Sequence, residues 1–167
     1  MTPSQPCVII TDEIVRNEVM MPTIHCTATS TVSPEKVLRA LTDFSPDRPR
    51  LWPNLDPRIY EVHDTGRDWA EVTEGSSFDG GIWERARYDW SEPGTVRIAV
   101  LDSNAFAPGC SWTYKIDPVH GGSRVELEVV RHGRTLNRRA LAGLLALTGR
   151  MVFCGDLGKT LAGLGSA

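Results

Sequence analysis

The chain has 167 residues, 41% hydrophobic and 23% charged, the make-up of a single globular domain able to bury about two thirds of its unfolded surface. With 18 basic against 21 acidic residues the net charge is −3, which leaves no general nucleic-acid footprint. The most apolar later run, 140–149, is followed by Arg150, Asp156 and Lys159 and falls short of the roughly twenty residues of a membrane span.

Residues 1–21 read as an N-terminal extension, peripheral to a single domain over 22–164. The extension carries Asp12, Glu13 and Glu18 and no unbroken apolar core, so no secretory leader is expected and the cytoplasm is the expected location. Cys7, Cys26, Cys110 and Cys154 form no C-x-x-C pair and are expected as reduced thiols, mostly small buried hydrophobes. From Pro22 the pattern sharpens. Thr23–Val32 is rich in β-branched residues and sets Ile24, Cys26 and Ala28 opposite His25, Thr27 and Thr29, the alternation of a strand. Ser33, Pro34 and Glu35 then supply an N-cap, an N1 proline and an acidic first turn. The helix they open, Glu35–Phe44, presents Val37, Leu38 and Leu41 on one side. Ser45–Pro57 holds four prolines and reads as an irregular or short-helical link anchored by Leu51 and Trp52.

Extended segments follow at Ile59–Asp64, Trp69–Glu74, Ile82–Trp90, Thr95–Leu101, Ser111–Asp117 and Arg124–His132. The breaks between them are short and rich in Gly, Pro and Asp, which favours antiparallel hairpins over parallel crossovers. Alternation groups Trp112, Tyr114 and Ile116 on one face, and likewise Val125, Leu127 and Val129. In Ile82–Trp90, Arg85 and Arg87 point to water, so Glu84, Ala86, Tyr88 and Trp90 point inward.

The final stretch, Arg134–Leu164, reads as one long helix, with Leu136, Ala140, Leu141, Leu144, Leu145 and Met151 among the residues at three- and four-residue steps. Such a helix would run about 45 Å and must lie across the sheet, which leaves room for a hollow between the two. Its opening basic cluster, Arg131, Arg134, Arg138 and Arg139, is expected as a solvated helix entrance with charge partners on the sheet. Gly143, Gly149, Gly155 and Gly158 either thin the helix where something approaches, permit bending, or reflect close packing and fraying. The fold class is α+β: a curved antiparallel sheet of six to seven strands wrapped on a long C-terminal helix, with two short helices after the first strand.

A catalytic reading centres on Glu84, since a carboxyl group in an apolar cavity has its pKa raised and can act as general acid or base. Tyr88, Tyr114, Asp102 and Asn104 are its candidate partners. The plainer alternatives are an ion pair between Glu84 and an arginine such as Arg85 or Arg87, or a place at the solvated rim. The 102–109 segment reads first as a turn-forming loop and second as a pocket mouth. His25, His63, His120 and His132 are scattered, so no metal site is expected. Gly158-Lys159-Thr160 matches the end of a phosphate-binding loop, but Phe153 stands where its first glycine belongs.

The order of elements resembles the START-like helix-grip superfamily (SRPBCC), whose bacterial members are often labelled polyketide cyclase/dehydrase or lipid-transport proteins. The resemblance covers Pro22 to Leu164 and is carried by Thr29–Val37, Leu51–Pro57, Ile82–Arg85 and Ser111–Tyr114. It implies an elongated cavity under the C-terminal helix for a lipid, polyketide or similar apolar molecule, and no universal catalytic motif. The leading expectation is binding or transfer of a hydrophobic small molecule, with no cofactor, no nucleic-acid partner and no membrane span. The expected lining is Trp83, Trp90, Ile98, Trp112, Leu127, Leu144 and Met151 with Tyr88 and Tyr114, and Asp102 and Asn104 near the mouth. The alternatives are a polyketide cyclase or dehydratase using Glu84 as acid/base, with Tyr88 and Tyr114 beside it, and an interaction protein of the same superfamily. Oligomeric state is not legible.

Overall fold

A computed structural model describes residues 23–52, 54–77, 80–135, 151 and 153–165. Strand β1 (Thr23–Ser30) leads into helix α1 (Pro34–Thr42), the short α2 (Arg48–Leu51) and a 3₁₀ turn (Pro57–Ile59). Six more strands follow: β2 (Glu61–Thr65), β3 (Trp69–Ser76), β4 (Ile82–Asp89), β5 (Thr95–Ser103), β6 (Ser111–Val119) and β7 (Gly122–Val130). Residues 153–165 are helical. The sheet has seven strands in the order β1-β7-β6-β5-β4-β3-β2, and every neighbouring pair is antiparallel. This is the expected α+β helix-grip architecture.

Local chemistry sets each element. The Ser33 hydroxyl accepts from the Lys36 backbone N–H at 3.3 Å and Pro34 fills the first helical turn, so α1 starts where its cap dictates. The chain reverses between β6 and β7 at Gly121, whose φ of +81° suits glycine. Gly122 next to it lies so close to β1 that an added Cβ would meet the Ser30 carbonyl oxygen at 1.9 Å, and that approach lets the first strand pair along the last. The expected strand at Ile59 begins later, because Asp56 accepts from the Arg58 N–H at 2.9 Å and folds Pro57–Ile59 into a 3₁₀ turn.

The core lies on the concave face. Ile24 and Cys26 from β1, Val125, Leu127 and Val129 from β7, and Tyr114 and Ile116 from β6 are all buried there. Val37, Ala40 and Leu41 of α1 close one end. Leu157, Leu161 and Leu164, spaced by one helical turn, place the C-terminal helix on the same cluster. Burying each such leucine stabilises by roughly 1.5–3 kcal/mol.

Three expectations are corrected here. Arg134 does not begin the last helix: Arg134 and Thr135 are not helical, and the Arg134 N–H donates to the Ala105 carbonyl at 3.0 Å. The segment after β7 stays extended because it is held to the 105–107 loop, with Phe106 bridged to Gly133. Cys26 and Cys154 are not reduced thiols but a disulfide, with Cα atoms 5.4 Å apart and the two residues separated by 128 in sequence. Helix packing over the inner face of β1 brings them together, and no local spacing announces it. Among the described residues an added Cβ at Gly155 or Gly158 meets nothing within 4 Å, which speaks against close approach and leaves bending or fraying of the helix. The expected extension 1–21, Leu144, Gly143 and Gly149 lie outside the described residues.

Candidate functional site

A hollow of about 640 Å³ opens between the concave sheet, the α2 region and the C-terminal helix. Ile98, Trp112, Tyr114 and Leu127 come from β5 to β7, and Phe153 and Leu157 from the helix. Trp112 meets Phe153 edge to face, centroids 5.1 Å apart, which ties the sheet wall to the helix.

Two ion pairs stand out in this wall, their carboxylates on adjacent strands. Glu74 of β3 and Glu84 of β4 are register partners and both line the hollow, so their side chains leave the sheet on one face next to each other. Glu84 faces Arg131, Oε1 to Nη1 at 2.5 Å and Oε2 to Nη2 at 3.0 Å. The Arg131 side chain is only 3% exposed and lies over the Phe106 and Trp112 rings, 4.6 and 4.4 Å from their centroids. Rings on a guanidinium favour the cation where water is excluded. The Trp112 indole N–H reaches the Glu84 carboxylate at 3.5 Å, the outer limit of a hydrogen bond.

Glu74 pairs with Arg48, whose side chain is also 3% exposed. Arg48 Nη1 donates to the carbonyls of Leu41 at 3.0 Å and Asp43 at 3.1 Å, at the end of α1. The guanidinium lies over the rings of Phe44 and Tyr88 at 4.7 and 5.2 Å. The Tyr88 hydroxyl donates to Glu74 Oε2 at 2.6 Å and accepts from Arg48 Nη2 at 3.2 Å. Burial pushes the Tyr88 hydroxyl well above the usual phenol range, with the Glu74 charge adding to the rise. Burial likewise raises Tyr114. Arg48 stays firmly protonated, because Tyr88 and Glu74 outweigh the burial that opposes its charge.

The expected residues divide cleanly. Glu84, Tyr88, Tyr114, Ile98, Trp112 and Leu127 line the hollow. Glu84 is paired neither with Arg85 nor with Arg87: Arg85 points outward to Glu71 and Arg87 lies over Trp69 at 4.0 Å. Trp83, Trp90, Asp102, Asn104 and Met151 are not part of the lining. Trp83 is one residue out of phase with Glu84 and so leaves the opposite face of β4. Trp90 is inward but stacks on Phe44 at 5.9 Å, beyond the strand end. Asp102 is turned outward by a bulge: β4–β5 pairing steps from Ala86↔Val100 to Arg85↔Asp102, with Leu101 the extra residue. It then meets Arg134 at 3.2 Å, while buried Ser103 takes the inner position beside Glu84. Asn104 locks the neighbouring loop, accepting from the Trp83 N–H at 3.0 Å and donating to the Gly81 carbonyl at 2.7 Å. Met151 is 83% exposed.

Arg48, Glu74 and Arg131 were not anticipated as site residues, and Arg131 was expected on a solvated helix entrance. Two of them carried a signal. Glu74 extends the inward series Ala70, Val72, and Arg131 extends Val125, Leu127, Val129, so alternation alone aims both at the hollow. Arg48 comes from a proline-rich link that has no periodicity to read. Cys110 and His132 also meet, Sγ to Nδ1 at 3.7 Å, though neither lines the hollow.

Comparison with known proteins agrees with this architecture. The family model for polyketide cyclase / dehydrase and lipid transport matches residues 21–164, and the chain belongs to that family. It is similar in fold to the ZhuI aromatase/cyclase from Streptomyces sp. R1128, with a TM-score of 0.71 at 15% identity over 87% of this chain and 94% of that one. A START superfamily protein from Mycobacterium smegmatis gives 0.64 at 14% identity, covering 84% and 94%. TTHA0849 from Thermus thermophilus gives 0.66 at 16% identity, covering 86% and 94%. A search of the curated proteins finds no match. The family match and the shared fold thus agree on a polyketide cyclase / dehydrase and lipid transport domain. No helix among the described residues is long and apolar enough to cross a membrane.

Proposed function

We propose that this domain binds, and holds for transfer, a hydrophobic small molecule in the hollow between sheet and C-terminal helix. The observation that carries the reading is the hollow itself: about 640 Å³, walled largely by rings and aliphatic groups, within the range of small-molecule sites. Close-packed interiors do not keep such a volume without use. Native mass spectrometry of the purified chain tests it. A co-purifying species of a few hundred daltons, recoverable in organic extract, is the expected result. Bare protein that also fails to take up an added apolar probe counts against it.

A second reading, cyclase or dehydratase chemistry, is favoured by one feature: polar groups converge inside the hollow rather than only at its mouth. A pure carrier needs no such wall. Glu84 and Glu74 are ion-paired with Arg131 and Arg48, so either would first have to part from its arginine to act as general acid/base. Conversion of a poly-β-keto probe, lost in Glu84→Gln or Glu74→Gln, distinguishes catalysis from carriage. A groove for a partner protein is supported less well, since that reading calls for a filled or shallow cavity. The expected cytoplasmic setting sits awkwardly beside the Cys26–Cys154 bond, because disulfides are rare in reducing compartments. Alkylation of cell extracts before reduction decides whether the bond forms in the cell.

A further inference from the structure

We infer that the hollow selects uncharged, hydroxyl-bearing hydrophobic ligands and rejects apolar chains that end in a carboxylate. The inference rests on the ligand-binding reading above and adds the chemical class.

It follows from how the wall's charges are spent. The described residues of the lining include two cations, Arg48 and Arg131, and three carboxylates, Glu74, Glu84 and Asp156. Both terminal nitrogens of Arg131 already face Glu84, and its faces are covered by Phe106 and Trp112. Every side-chain nitrogen of Arg48 already donates, to Glu74, to the carbonyls of Ala40, Leu41 and Asp43, and to the Tyr88 hydroxyl. Among the described residues, an entering carboxylate therefore meets only guanidinium nitrogens that already lie against a carboxylate, a hydroxyl or a carbonyl. It also meets two carboxylates side by side on β3 and β4.

Taking an ion out of water costs several kcal/mol unless a partner repays it, and like charges add to that cost. A hydroxyl behaves differently. Each carboxylate oxygen has more than one lone-pair site, so Glu74 and Glu84 can accept a ligand O–H without leaving their arginines. The apolar remainder of the ligand lies against Ile98, Leu127 and Phe153. Two adjacent acceptors within an apolar wall thus fit an alcohol or phenol on a hydrophobic body.

The test is displacement of the neutral dye N-phenyl-1-naphthylamine from the full chain at neutral pH, using 1-decanol, methyl decanoate and decanoate. Decanol is expected to displace at a concentration at least tenfold below decanoate, with the methyl ester closer to the alcohol than to the acid. In Glu84→Gln, where Arg131 loses its carboxylate and the wall one of its two charged acceptors, decanol is expected to weaken and decanoate to gain, so that the ratio between them falls at least tenfold. Glu74→Gln, which frees Arg48, provides the same comparison if the first variant does not fold by circular dichroism. Decanoate equal to or better than decanol in the natural protein overturns the inference. So does a ratio that neither variant moves, because discrimination would then come from ligand hydration alone. If the dye and all three probes fail to bind, the ligand-binding reading itself falls, and the selectivity with it.

Discussion

Arg131 and Glu84 face each other in a wall built largely from rings and hydrocarbon, and removing either leaves the other charge buried without its counterion. Breaking such a pair typically costs about 3–5 kcal/mol, whereas replacing both members by apolar groups of similar volume is often close to neutral. Arg131→Met is therefore expected to lower stability in urea by about 3 kcal/mol, and Arg131→Met with Glu84→Leu to recover most of it. A double variant as unstable as the single one would show that the pair organises more than its own charges. The tyrosines give an independent reading of burial. All three tyrosines of the chain, Tyr60, Tyr88 and Tyr114, are held above the ordinary phenol range by burial, Tyr60 at about 12. A raised folded value means that the stability tied to these phenols is complete below about pH 10, their unfolded value, and is lost as pH climbs through the folded ones. Absorbance at the phenolate band should stay flat through about pH 11 in the native protein and rise near pH 10 in urea. A native rise near pH 10 would place the rings in water.

At the scale of elements, the disulfide and the bulge decide where parts of the site lie. Cys26 of β1 and Cys154 of the C-terminal helix join the first described strand to the last described helix. That helix supplies Phe153, Asp156 and Leu157 to the hollow. Cross-links that close long stretches of chain typically stabilise by about 2–4 kcal/mol, mostly by restricting the unfolded state. Cys26→Ala with Cys154→Ala should lose an amount of that order in denaturant, whereas Cys110→Ala, a buried residue outside the bond, should not reproduce the effect of adding reductant. Equal melting temperatures with and without reductant would mean that helix packing alone holds the contact. The bulge at Leu101 has the opposite character, since it takes a residue away from the site. One extra residue in β5 sends Asp102 out and Ser103 in, and nothing in the composition of that segment marks where a strand inserts an extra residue.

For the whole molecule, strand, capped helix, hairpin series and closing helix were legible because each has a short-range cause: alternation, a Ser-Pro-Glu start, glycine turns. Inward aim was legible too wherever a strand is regular, which is why Glu84, Tyr88, Trp112, Tyr114 and Leu127 fell on the faces that alternation assigns. The same rule could have added Glu74 and Arg131. What the amino-acid order determined by itself was thus the list of elements and the face each regular strand presents. The tertiary structure alone decided which carboxylate meets which arginine, that Cys26 finds Cys154, and that Asp102 and Asn104 serve the loop instead of the hollow. Those outcomes depend on contacts between positions far apart in the chain, on strand register and on helix placement. Local propensity carries no record of them, because the energy that selects them exists only once the sheet has curved and the helix lies against it.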